Sequence, residues 1–258
     1  MNLIELYCDV DDFLKIFLKS WNKQLISSGE KRRIRNSRLS ISEIITILIF
    51  FHTSRIRDFK HYYLLQICGE LRTYFPQALS YSRFVALIPT VVVPLCAYLQ
   101  SRKQITSGIS FVDSTSITVC HSKRIYGHKV FKNFAKLGKS TKGWFYGFKL
   151  HLICNHDGEL VSCKFTAGNV DDRKPLPDLT KNMYGRLFDK IMLHKRSMIE
   201  SINNQLKNVF HLEHSRHRSP INGFMNMLSA VIAYTHHANK PSIGLSKKEV
   251  VMLTKLTA

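Results

Sequence analysis

The chain has 258 residues, of which 45% are hydrophobic and 22% are charged. This balance is typical of one large or two ordinary folded domains, and it excludes a disordered chain. The 38 lysine and arginine residues outnumber the 18 aspartate and glutamate residues, which gives a formal net charge of +20. Such an excess favours a polyanionic partner, with nucleic acid as the first candidate and an anionic membrane surface as the second.

We identify no membrane-spanning segment and no signal peptide in the sequence. The apolar run at residues 44–51 is interrupted by Thr46 and is too short to span a bilayer. The first residues lack a basic region followed by an apolar core. The six cysteines contain no Cys-x-x-Cys pair, so a zinc site is not expected and reduced thiols in the cytoplasm are the simplest interpretation.

Residues 1–103 are predicted to be helical and to form a small DNA-binding region. Apolar residues recur there at spacings of three and four, at Leu14, Phe17, Leu18 and Trp21 and again at Ile41, Ile44, Ile45, Leu48 and Ile49. Ser40 or Ser42 is the candidate N-cap of the second helix. A basic loop before it makes Arg32 and Arg33 candidate DNA-binding residues, and a short helix with an exposed Arg83 is expected from Ser80.

From Gly108 the hydrophobic pattern changes to a period of two, which predicts strands. Alternation runs over residues 109–119 and 144–154, and a third strand places Val161, Cys163 and Phe165 on one face. The Asp-Gly pair within residues 155–158 predicts a hairpin turn between the last two strands. Helices are expected over residues 175–183, 191–210 and 222–234. The pattern as a whole indicates an α/β or α+β layout, and we assign the α/β class.

The connection between the first two predicted strands, residues 121–142, contains seven lysines and arginines and no acidic residue. Lys123, Arg124 and Lys129 are therefore candidate phosphate contacts. The alternative is an ordinary solvated loop.

Asp113 is the strongest single candidate for a catalytic or metal-binding residue. It shares the predicted apolar face of its strand with Phe111 and Ile117, where a carboxylate is costly unless it is paired. A divalent metal would pair with it. The alternative is a carboxylate at a strand end that is bonded by Ser114, Thr115 or Ser116.

The helix expected over residues 191–210 carries a polar stripe. Arg196, Glu200 and Lys207 fall within about 40° of one another at ~100° per residue, with Asn203 on the same stripe. The apolar residues occupy another face, namely Ile191, Met198, Ile202, Leu206 and Val209. Glu200 is a candidate site residue. The alternative is an ordinary amphipathic helix whose solvent-exposed side carries an i,i+4 ion pair between Arg196 and Glu200.

Two further segments have polar patterns with a structural or electrostatic interpretation. In residues 166–175 the asparagine and aspartates are predicted to cap the helix that follows. Three histidines spaced by three residues, His211, His214 and His217, resemble a metal cluster. Their neighbours Arg216 and Arg218 favour a basic turn that faces DNA instead.

Taken together and in this order, these blocks resemble the DDE transposases of bacterial insertion sequences. The blocks are residues 111–115 (FVDST), 120–124 (CHSKR), 143–151 (GWFYGFKLH) and 168–173 (GNVDDR), followed by Arg196, Glu200 and Lys207. The resemblance extends from about Tyr81 to Ile243, and the order and spacing of the blocks make it specific.

The resemblance implies a ribonuclease-H-like mixed sheet with flanking helices in residues 104–243, followed by an unassigned tail at 244–258. In that family three carboxylates bind two divalent metals, Mg²⁺ or Mn²⁺, which activate the attacking oxygen and stabilise the leaving oxygen. Asp113 would be the first carboxylate and Glu200 the third, while Arg196 and Lys207 would hold phosphates. The implied partner is double-stranded DNA with terminal inverted repeats, bound by a homo-oligomer in the bacterial cytoplasm at the nucleoid.

The sequence departs from the family at the second catalytic aspartate. No Gly-Asp-Arg/Lys-Gly/Ala-Tyr-like block is found between Asp113 and Glu200. The aspartates in that interval have other neighbours, and they are Asp157, Asp171, Asp172, Asp178 and Asp189. We therefore expect an internal deletion between Phe188 and Asp189, an incomplete sheet, a weakened metal site and impaired catalysis. The alternative is a DNA-binding protein without catalysis that competes with or regulates an intact transposase.

Overall fold

A computed structural model describes residues 1–29, 37–104, 110–141, 143–181, 196–213 and 217–244. The chain forms two compact units. The first consists of Met1–Ser101, Val209–His211 and Ile221–His236, and the second of Arg102–Asn208, Leu212–Pro220 and His237–Ala258. The last helix therefore belongs to the first unit, and the functional domains assigned from the sequence stay a prediction.

The first unit is helical, as predicted. Its helices are α1 (Leu3–Ser27), α2 (Ile41–Phe51), α3 (Phe59–Tyr62), which continues as a π-helix over Tyr63–Glu70, α4 (Tyr81–Leu87), a 3₁₀ turn (Ile88–Val91) and α5 (Val92–Ser101). Ser40 is the N-cap of α2, because its side chain accepts the Glu43 N–H while the Glu43 carboxylate accepts the Ser40 N–H. This capping box starts a helix that is almost entirely buried. Arg83 is exposed on α4, as expected.

The stretch Tyr81–Ser101 was not recognised in the sequence as a candidate membrane span. Its 21 residues are long and apolar enough to cross a membrane by length and composition alone. A core helix passes the same test, and one side of this stretch is buried in the first unit at Phe84, Leu95 and Tyr98. The Tyr98 hydroxyl donates to Asp9 at 2.6 Å and lies 2.9 Å from His236 Nε2. These contacts suit a helix that packs inside the protein.

The second unit is built on a four-stranded antiparallel sheet. Its strands are β1 (Ser110–Cys120), β2 (Lys136–Ser140), β3 (Gly143–Asn155) and β4 (Leu160–Ala167). β3 is central, with β1 on one side and with β2 and then β4 along the other. Among the described residues β3 is the one strand that pairs with β1.

The three predicted strands and the hairpin turn are confirmed. Asn155 shapes the turn, since its side-chain oxygen accepts the N–H groups of Asp157 and Glu159, and Gly158 has a φ of +72°. β2 was missed, because it lies in the basic connection that we expected to be a loop. Its sequence, KLGKS, has one apolar side chain and no β-branched residue, so the period-two pattern is absent.

The α/β class is confirmed, but the described strands are all antiparallel rather than mixed. A parallel pair requires a further strand beyond a crossover connection, and the described residues contain none. The ribonuclease-H-like description therefore stays a prediction. The expected interruption between Phe188 and Asp189 lies outside the described residues, as does the tail from residue 245.

The remaining helices are α6 (Leu176–Thr180), α7 (Arg196–Asn204), which continues as a π-helix over Gln205–Val209, and α8 (Pro220–Thr235). The first two belong to the second unit and α8 to the first, apart from its first residue. α7 contacts β1, and α6 contacts β4. Leu179 of α6 packs with Val112, Ile153 and Val161. These helices position the polar groups on the sheet.

Candidate functional site

Asp113 lies near the middle of β1 and opposite Leu152 of β3. It is half-buried and shares its face of the sheet with Phe111 and Ile117, as the alternation predicts. Its carboxylate accepts a hydrogen bond from Asn203 Nδ2 at 2.9 Å. Asn203 is on α7, so this helix lies over the Asp113 face of the sheet.

Asn203 is a site residue to which the sequence assigned no chemistry. Its side chain is buried, and while its amide nitrogen donates to Asp113, its Oδ1 has no hydrogen-bond partner. An unsatisfied buried oxygen costs about 1–3 kcal/mol. Next to a carboxylate, such an oxygen is one of the ligands that a hard divalent cation prefers.

Glu200 lies on the same helix, one turn before Asn203, and its side chain is exposed. Met198 and Ile202 anchor the opposite side of α7 in the core. The helix therefore places Glu200 on the side from which Asn203 reaches Asp113, about 60° away around the axis. Arg196 begins the helix, and its side chain lies outside the described residues.

The predicted stripe does not continue regularly to Lys207. Residues 205–209 are π-helical, so side chains beyond Asn204 are rotated relative to an α-helix. Val209, which was predicted to lie on the apolar face, is 49% exposed. Lys207 Nζ lies 3.7 Å from Glu213 Oε2. Glu213 also accepts the backbone N–H of Thr118 on β1.

Three side chains at and near Asp113, on β1 and α7, carry oxygens that a divalent cation could use. Asn203 contacts Asp113 through its amide nitrogen, and Glu200 is one helical turn away from Asn203. Mg²⁺ is commonly held by one or two carboxylates while it keeps several waters. Within the described ranges, no group of three histidine, cysteine, aspartate or glutamate side chains is placed to hold a metal ion.

The opposite face of the sheet carries a polar cluster that the sequence did not predict. Lys149 Nζ donates to Asp172 Oδ1 at 2.9 Å and to the Val170 carbonyl at 3.0 Å. Although burial raises the pKa of Asp172, hydrogen bonds from Lys149 and Ser114 lower it below its usual value. Ser114 follows Asp113 on β1, so the Asp172 loop is tied to the strand that carries Asp113.

His151 lies beside this cluster and is buried. Its Nε2 is 2.8 Å from Thr166 Oγ1 on β4, and it stands opposite Ser114 on β1. Burial lowers the pKa of His151 below its usual value, and the lysines Lys149 and Lys164 act in the same direction. Asp172 opposes that shift. Burial of His151 in the sheet therefore favours the neutral form of its ring.

The capping role predicted for the polar residues of 166–175 is wrong. The N-cap of α6 is Pro175, with no side-chain hydrogen bond to the helix. Asp171 accepts the Arg173 N–H in a local turn, and Asp172 binds Lys149 instead. The capping pattern could not reveal this partner, because Lys149 is distant in sequence.

The basic connection is anchored over the Asp113 face. Phe131 is buried edge-on against Phe148 at 5.5 Å between ring centroids, and His128 packs against Tyr146. Tyr146 and Phe148 are two residues apart on β3, and both side chains lie on the face of the sheet that carries Asp113. The three candidate phosphate contacts of this segment are exposed, namely Lys123, Arg124 and Lys129.

Of the other predicted DNA-binding residues outside α7, the structure describes only Arg218. Arg218 is exposed just before α8. Arg32, Arg33 and Arg216 lie outside the described residues. The DNA-binding assignments therefore stay predictions.

The region that holds this site matches a known protein family. The family model of the transposase DDE domain aligns with residues 103–189 and again with residues 186–220. Searches of curated proteins and of solved structures gave no match. The sheet, Asp113 and α7 are thus parts of a transposase DDE domain. This match covers less than half of the chain, and it supports the resemblance to DDE transposases that the sequence blocks predicted.

Proposed function

We propose that this protein binds the DNA ends of an insertion sequence as a transposase and that its own catalysis of strand cleavage and transfer is impaired. The transposase DDE domain at residues 103–220 indicates the function in general terms. The observation that carries the proposal is the Asp113–Asn203 contact, which joins the strand and the helix of the two retained acidic residues.

Charge supports DNA as the partner. The net charge is +20, and the connection at residues 121–142 is basic without an acidic residue. Phe131 anchors that connection on the face that carries Asp113. A DNA backbone that follows these cations would pass over the carboxylate, which is the arrangement that phosphoryl transfer needs.

The divalent metal used by this family would be held by Asp113, with Glu200 and the Asn203 oxygen as further ligands. When bound, it supplies charge stabilisation at the phosphate and lowers the pKa of the attacking water or hydroxyl. The residues of the chain bind and orient: Asn203 fixes the Asp113 carboxylate, and α7 fixes Glu200. We propose that Arg196 and Lys207 contact phosphates, for which Lys207 must leave Glu213.

Impairment follows from the number of carboxylates. The family mechanism uses three to hold two metals, and the two retained here are Asp113 and Glu200. The family model aligns in two pieces that meet at residues 186–189, which supports an internal deletion at the position expected from the sequence. A site that holds one metal orients only one of the two oxygens that exchange at phosphorus.

The test is a strand-cleavage and binding assay on DNA from the two flanks of the reading frame, with Mg²⁺ or Mn²⁺. We expect specific, salt-sensitive binding to the element ends and little cleavage, with Asp113→Asn as the matched variant. Robust cleavage that is lost in Asp113→Asn would disprove the impairment. Equal affinity for unrelated DNA would disprove recognition of the ends.

The alternative is a DNA-binding protein without catalysis that competes with an intact transposase. The Lys207–Glu213 ion pair favours it, because that pair engages a cation otherwise expected on DNA. Adding this protein to an active transposase from an intact element should then inhibit cleavage in proportion to its occupancy of the ends. Binding in EDTA should equal binding in Mg²⁺, since no metal is needed to hold DNA.

A further inference from the structure

The start of β3 and the basic connection before β2 expose aromatic side chains among basic residues. Trp144 is 65% exposed, Tyr126 is fully exposed and Phe134 is 49% exposed. Large aromatic rings are usually at least half covered, and exposed groups of them mark contact surfaces. The combination of exposed rings with cations is typical of surfaces that bind nucleic acid through both base faces and phosphates.

Trp144 lies at the start of β3. It pairs with Lys139 across β2 and β3, and Lys139 Nζ lies 5.9 Å from the centroid of the indole ring. The last pair between β1 and β3 is Cys120 with Tyr146, so the pairing stops two residues short of Trp144. The indole therefore projects beyond the end of β1, with a cation over its ring.

The ring lies on the same face of the sheet as Asp113. Side chains alternate along β3, so Trp144, Phe148 and Leu152 share one face, and Leu152 stands opposite Asp113. Eight residues of strand separate Trp144 from Leu152, which is ~26 Å at 3.3 Å per residue. At 3.4 Å per nucleotide step this equals about eight base pairs of duplex.

We propose that Trp144 stacks on the base of an unpaired nucleotide in the bound DNA, about eight nucleotide steps from the phosphate at Asp113. The inference rests on the proposed function. It adds that the DNA bound near Trp144 is unpaired rather than duplex. A paired base in an intact duplex has both faces covered by its neighbours. An indole can stack only where the duplex ends or is opened, and Lys139 then contacts the adjacent phosphate.

The test uses Trp144 as its own reporter. The chain has two tryptophans, so Trp21→Phe leaves the Trp144 indole as the one tryptophan emission. The probes are a blunt duplex of an element end and the same duplex with a short thymidine overhang. We expect the overhang to quench the Trp144 fluorescence and to bind about fivefold to a hundredfold more tightly than the blunt duplex.

The matched variants are Trp144→Leu and Trp144→Phe in the Trp21→Phe chain, with folding verified by circular dichroism. The affinity difference should disappear in Trp144→Leu and persist in part in Trp144→Phe, which keeps a stacking ring. Equal binding of both probes without quenching would overturn the stacking proposal and leave the proposed function intact. Failure of both probes to bind would overturn the proposed function and this inference together.

Discussion

At the scale of single residues, Asn203 donates a hydrogen bond to the Asp113 carboxylate and so helps to hold it. The amide nitrogen satisfies one carboxylate oxygen, and the amide oxygen stays buried without a partner. An amide oxygen at this position is an uncharged oxygen donor, so it adds no negative charge beside Asp113. A carboxylate at position 203 would supply the charge that a tightly held metal requires.

We therefore predict that Asn203→Asp increases the affinity for Mg²⁺. In EDTA two adjacent carboxylates repel, so the melting temperature should fall below that of the wild type. Added Mg²⁺ should then raise it more in the variant than in the wild type, because ligand binding stabilises by RT ln(1 + [L]/Kd). Asn204→Asp, on an exposed neighbour, is the control. An equal response to Mg²⁺ in all three proteins would contradict the prediction.

Lys149 links β3 to the loop that holds Asp172, and its side chain is mostly buried. Lys149→Met should lower the free energy of unfolding by about 1–2 kcal/mol. The loss is limited because Asp172 is half exposed, so water can solvate its carboxylate when the lysine is removed. Lys164→Met, on the same face, removes an exposed ion pair with Asp178 and should cost less than about 1 kcal/mol. Urea denaturation measures both, and equal losses would show that burial of Lys149 contributes nothing.

His151 should make stability depend on pH near neutrality. Its pKa is lowered on folding because the ring is buried, so the unfolded chain binds the proton more readily. The contribution is fully present above about pH 6.5 and is lost as pH falls through the folded pKa, by at most about 1.4 kcal/mol per pH unit. Asp172 titrates below this range because its pKa is lowered from 3.8.

The measurement compares the urea midpoints of the wild type and His151→Gln at pH 7.5 and 5.5. Gln keeps an amide near Thr166 and does not titrate. The wild type should lose more stability than the variant between the two pH values. Parallel losses would assign the pH dependence to the other histidines.

At the scale of elements, the approach of β1 to β3 depends on Gly147. A Cβ at this position would collide with the carbonyl oxygen of Ile117, next to the irregular register between Thr118 and Cys120. Because the atoms that this Cβ would meet are backbone atoms of Ile117 and Val119, a side chain here forces the strands apart. The spacing of these two strands sets the position of Asp113 relative to β3.

We predict that Gly147→Ala destabilises the second unit by at least about 2 kcal/mol, as overpacking in a core does. Gly127→Ala is the control, since its nearest neighbour would be the Arg124 carbonyl at 3.8 Å, an ordinary contact. Thermal unfolding followed by circular dichroism measures both. An unchanged melting temperature in Gly147→Ala would mean that β1 and β3 separate at little cost.

The elements also show which parts of the fold the sequence can predict. β1, β3 and β4 have regular alternation and were predicted. β2 has none, and it pairs with the part of β3 that extends beyond β4. The contact of Asp113 with Asn203 joins residues 90 positions apart, and helical periodicity gives only the face on which Asn203 lies. Lys149 and Asp172 were missed because a capping pattern explained the aspartates locally.

At the scale of the whole molecule, the net charge of +20 should control DNA affinity. Each phosphate contact contributes a slope of about −0.9 to log K against log salt. Lys123→Gln with Lys129→Gln should reduce that slope by about two. Lys15→Gln is the control, because Lys15 already pairs with Asp11 and Asp12. Fluorescence anisotropy over a salt series measures the slope, and an unchanged slope would remove the basic connection from the interface.

The position of β1 has a consequence for handling the protein. Its 11 residues pair on one side with β3, and within the described part of the chain no strand covers the other side. Such an edge is a template on which extended segments of other chains add, and proteins commonly block it with charge. Glu213 does so at one point, because it takes the Thr118 N–H. Losing that carboxylate should turn a dispersed protein into one that assembles edge to edge as its concentration rises.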